Sequence, residues 1–518
     1  MNLNRQEYLN KVRGCWLGKN IGGTFGAPFE GKPEMNDAVT YTNIVPGQPL
    51  PNDDLDLQLV WLFMVEEEGV DRITPRLCGE YWMRSISGPW NEYGVCRANI
   101  ANGFYPPLSG TAGNEQWHWS NGAWIRSEIW ACLTPGAPDA AIRLAYCDAS
   151  CDHDGEGIYA ELYTAALESA AFVVKDVREL IRIGLSKIPA DSRVARAVKC
   201  ACDAYDRGLD LKAAHDAILA DSRDLGMFQA PGNLGFVTVG LLYGEGDFSK
   251  SLRCAVNCGD DTDCTGATVG AILGIMYGAD GIPKEWIDPI GQSIQTIAIN
   301  AVNVYVPRTI GELTDRVANN ALNASRQWRR SLLPLTDAPT DLTGLVLDDP
   351  AEAEKVWDRS SNELVFDLPW GEFAVDYDGG PDFTPGVPKK ITLLCRPFRI
   401  IAGSLRFAFD LPEGWSMSPA SGGVMMARSY TQTELSFELT AGDFGTEANR
   451  YLPLTLCPDN RPPSVVMVPV RCAGATMFTT RNGGRSLRLD GVPVKLYHAS
   501  IDHLREKRVF REKRAFEE

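Results

Sequence analysis

The residues with the clearest chemical potential are carboxylates gathered at two distant points of the chain. Cys258-Gly259-Asp260-Asp261-Thr262-Asp263-Cys264 packs three acids into four residues. Asn52-Asp53-Asp54-Leu55-Asp56 does the same near the N-terminus. Each cluster stands just ahead of a helix-compatible run. A helix dipole accounts for one carboxylate at such a position, whereas several crowded together repel one another unless a cation lies between them. Oxygen-only ligands suit hard ions such as Mg²⁺, Mn²⁺ or Ca²⁺ and disfavour zinc held by His and Cys. The chemistry indicated is therefore metal-assisted.

The elements that must position these acids follow from spacing. Ala267, Gly270, Ala271 and Gly274 recur at three and four residues, giving a helix face with almost no side chain, against which a second helix can pack closely. Gln6 to Gly18 is amphipathic, and a glycine-rich segment from Gly18 to Gly31 leads through Pro28 to Glu30, an acid able to orient or deprotonate water. A long stretch at residues 85–138 has little periodicity and many aromatic residues, and reads as a functional loop. Tyr105, Trp117, Trp119 and Trp124 are its candidates for narrowing an entrance, and Asn114, Asn121 and Gly122 for holding a substrate. His153, among Asp152, Asp154 and Glu156, precedes a good helix from Ile158 to Leu167. Pro231 to Gly235 breaks the pattern before an apolar helix at Phe236 to Tyr243.

Four segments in order resemble the ADP-ribosylglycohydrolase family over roughly the first 330 residues: Arg13 to Gly31 with its closing glutamate, Asn52-Asp53-Asp54, Ala149 to Gly157 with His153, and Asp261-Thr262-Asp263-Cys264. The resemblance implies an all-α, magnesium-dependent glycosidase. In that reading Asn52, Asp53, Asp54, Asp261, Asp263 and Cys264 hold two Mg²⁺ ions, with Mn²⁺ as an alternative. Glu30, Asp53 and Asp261 carry catalysis, and Asn114, Asn121, Gly122 and His153 bind substrate. The implied reaction is hydrolysis at the anomeric carbon of an ADP-ribosyl or related ribosyl group, on a small molecule or a modified protein. The alternatives are hydrolysis of another furanoside or N-glycoside, and non-catalytic binding of ADP-ribose or a nucleotide. The chain departs from the family pattern with Asn at 52, Cys at 264 and Gly at 23, where Thr, Thr and Asp are usual.

Composition bounds the rest. With 518 residues and 44% hydrophobic content, more than one domain is expected. A net charge of -17 argues against a nucleic-acid backbone as partner. No apolar run of membrane-spanning length and no signal-peptide pattern is seen, so the expected location is the cytoplasm. Fourteen cysteines, scattered without metal-ligand spacing, read as reduced thiols. The expected architecture is a multidomain chain: an all-α catalytic domain at 1–332, a linker at 333–344, and an all-β sandwich at 345–518 ending in a charged tail. Leu364–Leu368, Lys390–Leu394, Leu405–Phe409, Glu434–Leu439 and Val465–Val470 are the predicted strands, loosely similar to immunoglobulin-like accessory domains of carbohydrate-active enzymes. Oligomeric state is not legible.

Overall fold

A computed structural model describes residues 1–397, 403–459, 461–480 and 483–487. The chain divides into two compact units. One comprises Met1–Ile86, Trp117–Ala149 and Asp154–Arg359, and the other Ser87–Gln116, Ser150–His153 and the chain from Ser360 onward. The tail from Leu504 to Glu518, expected to be helix-like, lies outside the described residues.

The first unit is helical, and its axis is a pair of antiparallel helices, Arg5–Gly26 and Thr262–Tyr277. Gly14, Gly18, Gly22 and Gly26 recur every fourth residue on the first. They face Gly274, Gly270, Gly266 and Thr262 on the second so closely that a Cβ added at Gly18 or Gly22 would fall 1.9 Å or 2.0 Å from a carbonyl oxygen opposite. The small face predicted for the second helix is this contact. The glycine-rich segment supplies the C-terminal part of the first helix as far as Gly26 and continues into the 3-10 turn Ala27–Phe29. Glycine costs about 1 kcal/mol per residue in a helix interior relative to alanine; here backbone-to-backbone packing that no larger residue permits offsets that cost.

Two other expectations are corrected. The stretch 85–138 contains the helices Asn91–Ala101, Leu108–Thr111 and Glu128–Leu133, so it is not one loop. Pro231 does not break the pattern but lies in the first turn of a helix, Ala230–Tyr243, where its missing N–H is not needed. Within the segment read as a linker, Leu335–Thr336 pairs in parallel with Leu3–Asn4. All fourteen cysteines are free. Among the described residues no helix is long and apolar enough to cross a membrane.

The second unit contains two five-stranded sheets. One runs Glu363–Leu368, Gly371–Tyr377, Pro388–Pro397, Thr433–Thr440, Ser416–Ser418; the other runs Asp382–Phe383, Ser464–Cys472, Asn449–Pro458, Gly403–Phe409, Gly422–Ala427. Alternation does the sorting: Leu405, Phe407 and Phe409 are buried while Arg406 and Ala408 are exposed. The buried faces merge into one apolar core with Phe373, Leu393, Phe437, Leu454 and Val468, and Phe104 and Leu108 enter the same core. That shared core is why Ser87–Gln116, distant in sequence, belongs with the sheets.

Candidate functional site

The glycine contact decides where the acids meet. Because the two helices run antiparallel, the C-terminal end of Arg5–Gly26 lies beside the N-terminal end of Thr262–Tyr277. Glu30 follows the first helix after one 3-10 turn, Ala27–Phe29, and Asp261 caps the second. The Gly31 N–H donates to the Asp260 carbonyl at 2.9 Å and the Asp260 N–H to the Lys32 carbonyl at 2.6 Å, which fixes the register of the two segments. Glu30, Asp261 and Asp263 consequently each place a carboxylate oxygen within 4.8 Å of the others.

The second acidic segment opens the helix Asp53–Glu68. Asp54, Asp263 and Cys264 form another group with ligand atoms within 4.8 Å, so Asp263 is common to both. Asn52 caps this helix, its side-chain oxygen accepting the Asp54 N–H at 2.7 Å. Its amide nitrogen occupies the space beside Gly23, only 2.2 Å from where a Cβ would stand. Glycine at 23 thus leaves the room that the Asn52 side chain occupies.

Buried polar groups hold the acids in place. Asn121 donates to Asp261 Oδ2 at 2.6 Å and accepts from the Trp124 indole at 3.1 Å, while the Asn233 oxygen accepts the Asp261 N–H at 3.3 Å. Asp260 turns the other way, its Oδ1 accepting the Phe228 N–H at 2.8 Å, and burial pushes its carboxyl up to about 6. Asp261 is pushed well above the carboxylate range, first by burial and then by the charges of Asp263 and Glu30. Asp54 is raised chiefly by burial, against the pull of Lys19 and with Asp263 and Asp53 adding to it. This is the electrostatic signature of acids sharing one place.

A hard cation fits the Glu30, Asp261 and Asp263 group. Its donors are all oxygens, and Asp263 Oδ1 is buried with no hydrogen-bond partner, an expensive arrangement unless something positive approaches it. Asp53, the first residue of its helix, contributes a further charge felt by both Asp54 and Cys264.

The remaining candidate residues are distributed as follows. Asn121 is bound to the cluster, and Gly122 is adjacent, its carbonyl receiving Arg126 Nη1 at 2.5 Å. Asn114 and His153 belong to the second unit. There the Asn114 amide donates to the carbonyls of Gly110 and Asp152, each at 2.8 Å, and His153 Nδ1 lies 2.7 Å from Asp152 Oδ1; both side chains are buried. Trp124 is fully buried and cannot line an entrance, whereas Trp117, His118 and Trp119 are partly exposed, the last two stacked at 4.9 Å between centroids. Tyr105 packs on the core of the second unit. Sequence reasoning missed Lys19, Glu128 and Asn233. A lysine one residue beyond Gly18, among the glycines of the segment that packs backbone to backbone, was the available signal for the first.

Asn121 yields a direct test. Asn121→Ala removes the hydrogen bond that orients Asp261 without removing a charge, and supporting bonds of this kind are worth about 10- to 100-fold in metal affinity. Isothermal titration with Mn²⁺ is expected to show a loss in that range with the fold intact by circular dichroism.

A family model for ADP-ribosylglycohydrolase matches residues 4–325. A segment of 51 residues is 39% identical to ADP-ribosylarginine hydrolase Tri1 of Serratia proteamaculans (strain 568), covering 10% of this chain and 14% of that protein. A segment of 59 residues is 34% identical to the Tri1 of Pseudomonas putida (strain GB-1), covering 11% and 16%. The chain therefore spans a small fraction of the curated relatives it matches. Among solved structures, an ADP-ribosylglycohydrolase-related protein complex aligns over 62% of this chain and 99% of its own, with 20% identity and a TM-score of 0.42. With more than half of its length matched by the family model, the chain belongs to the ADP-ribosylglycohydrolase family of glycosidase-type hydrolases.

Proposed function

We propose that the helical unit hydrolyses the anomeric bond of an ADP-ribosyl or closely related ribosyl substrate with the help of a hard divalent cation. The observation that carries this reading is the convergence of Glu30, Asp261 and Asp263, with a buried Asp263 oxygen that has no hydrogen-bond partner. Glu30, Asp261 and Asp263 are the residues that would hold the ion. When bound, a divalent cation supplies Lewis acidity and a grip on vicinal sugar hydroxyls.

The chain's own groups supply the rest. Glu30 is only partly buried and faces the cluster from a non-helical turn, so it is placed to take a proton from an attacking water. Carboxylates in the same cluster favour the positive charge that develops on an oxocarbenium-like sugar as the glycosidic bond lengthens. Asn121 holds the Asp261 carboxylate, and Asn233 accepts from the Asp261 backbone N–H.

A second reading, hydrolysis of another furanoside or N-glycoside, is favoured by the partly exposed His118–Trp119 stack, because a flat aromatic face suits a small glycoside. One screen separates the two: Mg²⁺- or Mn²⁺-supplemented hydrolysis of ADP-ribosylated protein, ADP-ribose derivatives, nucleosides and aryl furanosides. Release of ADP-ribose is the expected result. Turnover of furanosides alone would transfer the assignment to the second reading, and calorimetric binding of ADP-ribose with no turnover under any divalent ion would make the protein a binder.

A further inference from the structure

Lys19 projects from the middle of the glycine-faced helix into the protein interior and is 1% exposed. Its ammonium is pinned on several sides. It lies 2.8 Å from Glu128 Oε1 and 3.3 Å from Asp54 Oδ2, and it donates to the Ile125 carbonyl at 2.5 Å and to Thr268 Oγ1 at 3.5 Å. Glu128 is itself fixed, because Oε2 accepts from Gln58 Nε2 at 2.8 Å while Gln58 Oε1 accepts the Ile129 N–H at 2.8 Å. A buried charge with this many fixed partners is a permanent feature of the interior and not a side chain free to swing out.

Its consequence falls on Asp54. One oxygen of that carboxylate faces the ammonium, and the other accepts the Cys264 thiol at 3.4 Å. The group made of Asp54, Asp263 and Cys264 therefore differs in kind from that of Glu30, Asp261 and Asp263. It contains a soft sulfur donor that hard cations disfavour, and a fixed positive charge already stands against one of its two acids. The all-oxygen group carries neither handicap.

We propose that the Lys19 ammonium takes the place of one of two cations, so that the chain binds a single divalent ion, at Glu30, Asp261 and Asp263, with Asp54 serving as the partner of Lys19. This rests on reading the acidic cluster as a metal site. Lys19 is accordingly a positioning residue: it holds Asp54 at the rim of the site and supplies charge without exchanging with solvent.

Mn²⁺ alone, titrated into the full chain and followed by electron paramagnetic resonance of the free ion, tests this without any substrate. The wild-type protein is expected to take up one tightly bound ion. Two ions of comparable affinity would overturn the role given to Lys19 while leaving the proposed hydrolase standing, whereas none would remove the metal reading and this inference with it. Lys19→Met combined with Cys264→Thr frees Asp54 and replaces sulfur with oxygen, and is expected to shift the stoichiometry from one ion to two. A folded double variant that still binds only one would overturn the proposal. Where the double variant does not fold, the wild-type stoichiometry decides.

Discussion

Asp263→Asn is expected to lower metal-dependent turnover by about a thousandfold or more while leaving the metal-free protein at least as stable as the wild type. Asp263 is the acid common to both three-residue groups, so its loss takes from the proposed metal site an oxygen donor that both groups share. Cationic stabilisation of the transition state is worth several kcal/mol, and each 1.36 kcal/mol or so is tenfold in rate, which sets the scale of the loss. The stability effect has the opposite sign for a reason visible in the site. Asp261 is pushed up first by burial and next by the charge of Asp263, so neutralising Asp263 relieves repulsion that the metal-free fold must otherwise absorb. Functional sites commonly carry such a penalty. Thermal melts with and without Mn²⁺ check both halves: the variant's metal-free melting temperature equals or exceeds that of the wild type, and the upward shift that Mn²⁺ gives the wild type is lost. A variant that kept full activity and the full Mn²⁺ shift would remove Asp263 from the site.

Much of this arrangement was legible because the signals are local. Three acids in four residues ahead of a small-residue run announce carboxylates gathered at a helix start, and Ala267, Gly270, Ala271 and Gly274 announce a face that admits another backbone. The strands of the second unit were readable because a period of two separates buried Leu405, Phe407 and Phe409 from their exposed neighbours. What was not legible depends on partners far away in the chain. The glycines from Gly18 to Gly26 permit a close backbone approach, but nothing local records that the partner is the helix carrying Gly266 and Gly270. Pro231 read as a breaker because its position relative to the helix start decides its effect, and the helix starts at Ala230, one residue past the Ser120–Gln229 bridge. Lys19 carries no local signal of its partners, and only the three-dimensional placement of Glu128 and Asp54 gives its charge a purpose.

Gly22→Leu is expected to prevent folding of the helical unit, and even Gly18→Ala to cost about 3 kcal/mol or more. Two effects of opposite sign compete at these positions. Alanine gains about 1 kcal/mol over glycine in a helix interior. Against this, a Cβ at Gly18 would stand 1.9 Å from the Gly270 oxygen and one at Gly22 2.0 Å from the Gly266 oxygen, and the atoms met are backbone, which cannot rotate away as a side chain would. Overpacking by a methylene costs about 1–3 kcal/mol where side chains can adjust, so a clash of backbone with backbone lies at or beyond the upper end. Gly311→Ala is the internal control. It sits at the start of the helix Ile310–Gln327 with nothing nearer its added Cβ than Thr309 Oγ1 at 3.8 Å, so it should stabilise by several tenths of a kcal/mol. The measurement is urea unfolding of the three variants, with Mn²⁺ titration of those that fold. If Gly18→Ala separates the helices without unfolding them, Glu30 moves away from Asp261 and Asp263, and Mn²⁺ affinity falls together with stability although no ligand has been changed. Equal stability of Gly18→Ala and Gly311→Ala would show that the helices tolerate separation, and that the glycine contact is not what brings the acids together.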